Sequence, residues 1–399
     1  MDGYTNAQKE RYTEEEFKRK VDDLDRDKLP TANIMVAGGT GVGKSTLLNA
    51  IFGAELAATG KGRPVTAHIS EYESVDLPIH IWDTVGLEID SETTEDSINS
   101  IRQTIANKAA SPDQVDRVHA IWYCIGSGGS RYQGAELKFI KNLHSIGVPF
   151  IIVLTQCIED EDVVDAFEAQ IREINEKSGM NDIEIVQVLA QDYKVRGYPP
   201  IKSFGLDVLV ETTLRKLPDF IKGGFVAAQR VSKAQKRLFC EGIIYDYVQA
   251  AKEGFWDKVP LVNVFTANKR IMNMFKKIGT AYNTVLSDES VEEIRSTCSI
   301  SFENTFFGLI SPIDMGYGKK VEALLERKKE EGFNVKYDSF EKSEKVARLI
   351  AFYGYIFISS IEDLWEFFTE EQLKNIEMTT AGLISIINKK LKERQENHM

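Results

Sequence analysis

The chain has 399 residues, of which 43% are apolar and 28% charged, the balance of an ordinary globular protein with room for two or three hydrophobic cores. Its net charge is −12, and residues 223–399 hold acids and bases in equal number, so the excess acid falls in residues 1–222; an acidic body without a basic stripe speaks against nucleic acid as a partner. The cysteines Cys124, Cys157, Cys240 and Cys298 show neither paired nor metal-ligand spacing, and no run approaches the roughly 18 apolar residues of a membrane span, so the expectation is a cytoplasmic chain with reduced thiols.

Residues 1–30 are predicted to form an N-terminal helix. Tyr12, Phe17, Val21 and Leu24 recur at helical spacing among many charges, and Pro30 closes the segment. That density of charge does not fit a signal peptide. The texture changes at residue 31. Short apolar runs at 32–37, 68–73, 79–82, 118–125, 150–154 and 183–189 alternate with helical patterns at 45–52, 92–108, 135–145, 163–177 and 206–221. This predicts an α/β domain over 31–222: a mostly parallel six-stranded sheet with helices on both faces. The runs at 68–73 and 79–82 are close enough to pair as an antiparallel hairpin. From residue 223 to 399 no strand alternation appears. Helical patterns at 226–252, 261–285, 317–331, 339–360 and 370–396 predict an all-helical domain. Its aromatics, Phe352, Tyr353, Tyr355, Phe357, Trp365, Phe367 and Phe368, have the spacing of core residues. The apolar stretch 349–361 is too short to span a bilayer and reads as a buried helix.

Residues 38–45 read GGTGVGKS, a full match to G-x-x-x-x-G-K-[ST], between the apolar run 32–37 and the helical segment 46–52. This strand–loop–helix context is what the motif requires. Backbone N–H groups of Gly38, Gly39, Thr40, Gly41, Val42, Gly43 and Thr46 can turn around phosphate oxygens at the positive end of a helix. Lys44 can place its ammonium between the two terminal phosphates, and the Ser45 hydroxyl is a hard oxygen suited to magnesium. Asp83-Thr84-Val85-Gly86 closes the run 79–82, some 40 residues later. A carboxylate there can hold a magnesium shell through water, and the Gly86 amide can meet a terminal phosphate. Thr66, in a stretch rich in Gly, Ala and Thr, can close the same shell.

These residues resemble the translation-factor-related GTPases and, within them, the Era-like group. GTGVGKSTLLNAIFG at 39–53 and the spacing Lys44, Thr66, Asp83–Gly86 carry the resemblance, which covers roughly 32–222. It implies a switch that binds GTP or GDP with Mg2+ and hydrolyses GTP. Lys44, Thr66 and Gly86 would act in hydrolysis, Ser45 and Thr66 on the metal, and Asp83 in its water shell. More loosely, the second half is similar to the helical domain that follows some Era-like GTPases. Two departures stand out. Leu87 occupies the place of the glutamine that orients attacking water in Ras-type enzymes, which implies slow intrinsic hydrolysis or a group supplied from elsewhere. The guanine-reading motif, [NT]-K-x-D, is represented by Thr155-Gln156-Cys157-Ile158, with Glu159 and Asp160 next in line. A carboxylate is what excludes adenine at such a site. Leu189 and Ala190, ending the sixth strand, resemble the backbone contact to the guanine carbonyl.

Three readings follow from these residues. The first is a GTP-dependent switch whose helical domain responds to nucleotide state, with a homodimer or a protein partner in the GTP form. The second is a dynamin-like or immunity-related assembly GTPase acting by self-association or by peripheral contact with a membrane. The third is a nucleotide-binding module with relaxed base preference and little turnover. Arg63 and Arg131 are loop arginines that could reach developing phosphate charge, and Cys157 reads as a small half-buried residue with nothing nearby to activate its thiol.

Overall fold

The computed structural model describes residues 29–53, 63–66, 69–73, 77–84, 95–129, 132, 134–252, 263–306 and 341–396. Residues 1–28 of the expected N-terminal helix, the helix at 317–331, and residues 85–88 and Arg131 lie outside them. The described residues divide into two compact units, one within 29–236 and the other within 237–396.

The first unit is built on one sheet. Its strands are β1 (Ala32–Gly38), β2 (Arg63–Thr66), β3 (Ile69–Glu73), β4 (Ile79–Thr84), β5 (Ala120–Gly126), β6 (Phe150–Thr155) and β7 (Glu184–Gln187). Their order is β2-β3-β4-β1-β5-β6-β7. β4, β1, β5, β6 and β7 run parallel, while β3 pairs antiparallel with both β2 and β4. The six expected strands are all present. The short edge strand β2 adds a seventh, in a segment whose composition had suggested only a flexible loop.

β1 and β6 are buried along their whole length, as strands covered on both faces must be. Asn33 is the polar exception in β1. Its side-chain amide donates to Val115 O at 2.6 Å and Arg117 O at 2.7 Å, and its backbone N–H donates to His119 Nδ1 at 2.9 Å. These bonds satisfy a buried amide and fix the entry to β5.

Alternation along the strands splits the core into two layers. Met35, Trp82, Ile121, Tyr123, Ile152 and Leu154 face helices α2 (Glu95–Ala109), α3 (Ala135–His144) and α4 (Glu161–Lys177). On the other face Trp122 stacks on Phe52 of α1 (Lys44–Phe52) at 6.0 Å, and Phe225 meets both rings edge-on. The Trp122 indole donates to Thr213 Oγ1 at 3.0 Å. Thr213 and Phe225 belong to α5 (Leu206–Lys216) and α6 (Asp219–Ala228).

Two helical expectations are corrected here. The pattern at 206–221 is two helices, because Pro218 cannot donate an amide within a helix and disfavours helical backbone before it. The domain boundary expected at 222/223 falls later, since α6 packs on the sheet. Gly224 lies so close to the carbonyl of Pro30 that a Cβ there would stand 1.9 Å from it. The chain then breaks at Gln229, whose side chain bonds Ser232 through both its donor and its acceptor. α7 (Lys233–Lys252) starts after that break, so the helix expected from 226 begins seven residues later.

The second unit contains most of α7, then α8 (Asn263–Ala281), α9 (Asp288–Phe306), α10 (Glu341–Phe367), α11 (Glu370–Lys374) and α12 (Ile376–Glu396). α9 was not anticipated. Its polar Ser/Thr/Cys composition hides the apolar period, although Ser287 caps its start by accepting from the Ser290 amide at 3.1 Å. The 370–396 pattern is broken at Asn375, after the capping box that Thr369 and Gln372 form. The core draws on α7, α8, α9, α10 and α12. Phe275 stacks on Phe357 at 4.4 Å, and Gly354 admits Ile244 so closely that a Cβ there would be 2.4 Å from it. Phe352, Tyr353, Tyr355 and Phe357 are buried as expected, whereas Phe367 is 77% exposed. Among the described residues no helix is long and apolar enough to cross a membrane.

Candidate functional site

In a parallel sheet the connections place ligands beyond the carboxyl ends of the strands. The predicted site residues gather there: Gly38 ends β1, Asp83 and Thr84 end β4, Thr155 ends β6, and Leu189 and Ala190 follow β7. The loop from Gly39 to Gly43 joins β1 to α1. Gly38 (φ 138°), Gly41 (φ 75°) and Gly43 (φ 94°) hold backbone that other residues rarely adopt. At Gly38 a Cβ would also stand 2.3 Å from Cys124 O, so this glycine is needed for space as well as for conformation.

Lys44, the first residue of α1, is 9% exposed. Its ammonium donates to Gly38 O at 2.9 Å and Gly39 O at 3.0 Å. The loop thus closes around its own cation at the positive end of a helix. Loop amides, helix terminus and ammonium together favour a multiply charged anion. Ser45, one residue on, is exposed at the loop mouth.

Asp83 is buried, and its Oδ1 makes no hydrogen bond. Burial pushes its carboxyl up to about 6, against the opposing pull of Lys44. The Thr84 hydroxyl beside it is also buried and unpaired. A buried carboxylate with a free oxygen suits the water shell of a divalent cation, so the chemistry present fits magnesium with Ser45 and Asp83 as donors. Thr66 ends β2, opposite Ile69, and Gly86 lies outside the described residues. Cys124, packed behind the loop, has its thiol pushed up to about 12 by burial. Cys157 donates to Leu154 O at 3.3 Å, and burial raises its thiol to about 11. Both stay protonated and unreactive near neutral pH.

The base-reading segment is tied to the phosphate loop. Thr155 Oγ1 lies 2.5 Å from Val42 O and 3.1 Å from Ile125 O, with one proton to give. Gln156 donates from Nε2 to Gly41 O at 2.9 Å, from a left-handed backbone (φ 56°) unusual for a residue with a side chain. Glu159 accepts from Ser127 Oγ at 2.6 Å, and its other oxygen rests over Gly128, where a Cβ would be 2.8 Å away. Ser127 Oγ also lies 2.8 Å from Gln156 O. Ser127 was not singled out from sequence. The only signal was its place in the glycine-rich loop 126–130. Val188 donates to Leu154 O at 2.7 Å, and Leu189 bonds Phe204 in both directions, which brings the Leu189–Ala190 turn beside β6.

A phosphate loop at the carboxyl end of the first strand of a mostly parallel sheet, with a buried lysine inside it and a buried aspartate ending the neighbouring strand, defines a P-loop nucleotide-binding domain. Residues 33–156 match the family model described as 50S ribosome-binding GTPase, so the chain carries a P-loop GTPase domain. Neuronal-specific septin-3 of Bos taurus is 25% identical over 257 residues, 55% of this chain and 70% of that protein. The probable GTP-binding protein EngB of Kosmotoga olearia is 25% identical over 179 residues, 43% of this chain and 78% of that protein. Among solved structures, a probable GTP-binding protein engB is 18% identical with a TM-score of 0.32, over 48% of this chain and 99% of that one. Aquifex aeolicus Era bound to GDP·AlF4− is 17% identical with a TM-score of 0.31, over 56% and 68%. The chain spans 29% of the length of a bacterial selenocysteine-specific elongation factor, at a TM-score of 0.30.

Proposed function

We propose that this chain is a magnesium-dependent GTP-hydrolysing switch of Era-like type, whose helical half responds to the nucleotide held in the first unit. The observation that carries this reading is the Lys44 ammonium, bonded to Gly38 O and Gly39 O inside the loop. Triphosphate oxygens compete for that ammonium as charge-assisted partners, and each such bond is roughly twice as strong as a neutral one. On binding, Lys44 turns from the carbonyls to the terminal phosphates, while the amides of Gly41, Gly43, Ser45 and Thr46 receive the remaining oxygens. Ser45 and Thr66, with Asp83 through water, would hold magnesium, which when bound would supply positive charge beside the phosphates.

Hydrolysis joins a water oxygen to the terminal phosphorus and breaks its bond to the bridging oxygen, giving GDP and phosphate. Lys44 and the loop amides bear the charge that develops. Leu87 has no polar atom with which to orient that water, so the unaided rate is low. Thr155, Gln156 and the Leu189–Ala190 turn frame the base, and Glu159 is the nearest carboxylate in sequence to the position Ile158 occupies. The helical half has its own core, as a separately responding module requires.

The test is release of phosphate from GTP with Mg2+ by the full chain and by Lys44→Ala, together with a binding competition of GTP, ATP and XTP. Turnover that persists in Lys44→Ala would overturn the assignment. Preference for XTP would show that no carboxylate reads the guanine ring.

A further inference from the structure

A second cluster of ligating side chains sits away from the nucleotide site. β3 and β4 pair so that Glu73 lies opposite His80 and Glu71 opposite Trp82. Residues two apart on a strand share a face, as do residues directly opposite each other. Glu71, Glu73 and His80 therefore project from one face of the hairpin, while Asp83 projects from the other. One ligand atom from each of the three falls within 4.8 Å of the others, the only such group of three among the described residues.

His80 Nε2 is fully buried and lies 2.7 Å from Glu71 Oε1 and 3.9 Å from Glu73 Oε1, so both carboxylates already converge on this nitrogen. The Trp82 indole donates to Glu71 Oε1 at 3.1 Å. It holds the carboxylate in place, as outer partners of metal ligands do. Lys108 is turned to the Trp82 ring, 5.0 Å from its centroid. Glu73 is 68% exposed, so solvent reaches the cluster on that side.

We propose that Glu71, Glu73 and His80 bind a divalent transition ion of the zinc class, with water as the fourth ligand. One imidazole and two carboxylates suit zinc better than magnesium or calcium, which prefer oxygen alone. Donors sharing one zinc at about 2.0–2.2 Å stand within roughly 4.4 Å of each other, a small closure from the present positions. The ion clips β3 to β4 three residues before Asp83.

The test uses the full chain, stripped with chelator and kept in excess Mg2+, and titrated with Zn2+ in a calorimeter. The expected result is one equivalent bound, with affinity at least tenfold weaker in both Glu73→Gln and His80→Asn and unchanged in Lys44→Ala. Glu73 is exposed, so its variant tests the site even where His80→Asn folds poorly. Co2+ in place of Zn2+ should give a visible absorption band that both variants lose. A wild type that takes up no saturable equivalent, or a Glu73→Gln protein that binds like wild type, overturns the proposal. The outcome does not depend on whether GTP is the nucleotide.

Discussion

Replacing Asp83 with Asn should stabilise the nucleotide-free protein while weakening magnesium-dependent nucleotide binding. The carboxyl is displaced from 3.8 to about 6 by burial. At roughly 1.4 kcal/mol per pH unit, that is a cost on the order of 3 kcal/mol for keeping the group ionised in the folded state. The sign follows from proton binding. Between pH 3.8 and about 6 the folded state binds more protons than the unfolded state, so stability falls as pH rises through that window and the full cost is present above it. Asn carries no such cost. Urea denaturation of apo wild type and Asp83→Asn should therefore separate the two by about 3 kcal/mol at pH 7.5 and by only about 1 kcal/mol near pH 4.5. Equal stability at pH 7.5, or a gap that does not shrink on acidification, would refute the reasoning. Saturating Mg2+ and GTP should reverse the order, because only the carboxylate recruits the cation's water shell.

Other substitutions test other contacts. Gln156→Ala removes the bond to Gly41 O and should speed nucleotide release severalfold, since a hydrogen bond of this kind is worth about 1 kcal/mol; stopped-flow displacement of a fluorescent GDP measures it. Gly38→Ala places a Cβ 2.3 Å from Cys124 O at φ 138° and should abolish nucleotide binding while lowering the melting temperature. Gly224→Ala, with its Cβ 1.9 Å from Pro30 O, should destabilise the nucleotide-binding unit, although the residue lies beyond the boundary that the sequence texture suggests; limited proteolysis of that unit reads the effect. Glu159→Gln weakens the bond from Ser127 and should raise XTP binding relative to GTP in the competition assay if Glu159 faces the base.

The first half of this fold was legible because its signals are local and mutually consistent. Apolar runs such as 150–154 are too short for a buried helix and fit strands covered on both faces, and a glycine-rich turn between strand and helix fixes Lys44 at a helix start. Other features depend on contacts between distant residues and leave little local trace. β2 was missed because Arg63 and Pro64 look like loop and become strand only by pairing with Glu71 and Ser70. Gly223 and Gly224 suggest a domain boundary in the middle of α6, yet the missing side chain of Gly224 is what lets the helix lie against Pro30. α9 hides its buried Val291 and Ile294 among serines and glutamates. In the site, Lys44, Ser45 and Asp83 were readable from spacing. The bond from Ser127 to Glu159 spans 32 residues and has no pattern of its own.

Lys44, bonded to the carbonyls of its own loop, fills the cradle with the loop's own cation. The cation that would grip a phosphate meanwhile ties the carbonyls of Gly38 and Gly39 to one point. On the proposed function, an arriving phosphate meets a loop already tied by two bonds and takes the place of two carbonyls on one ammonium.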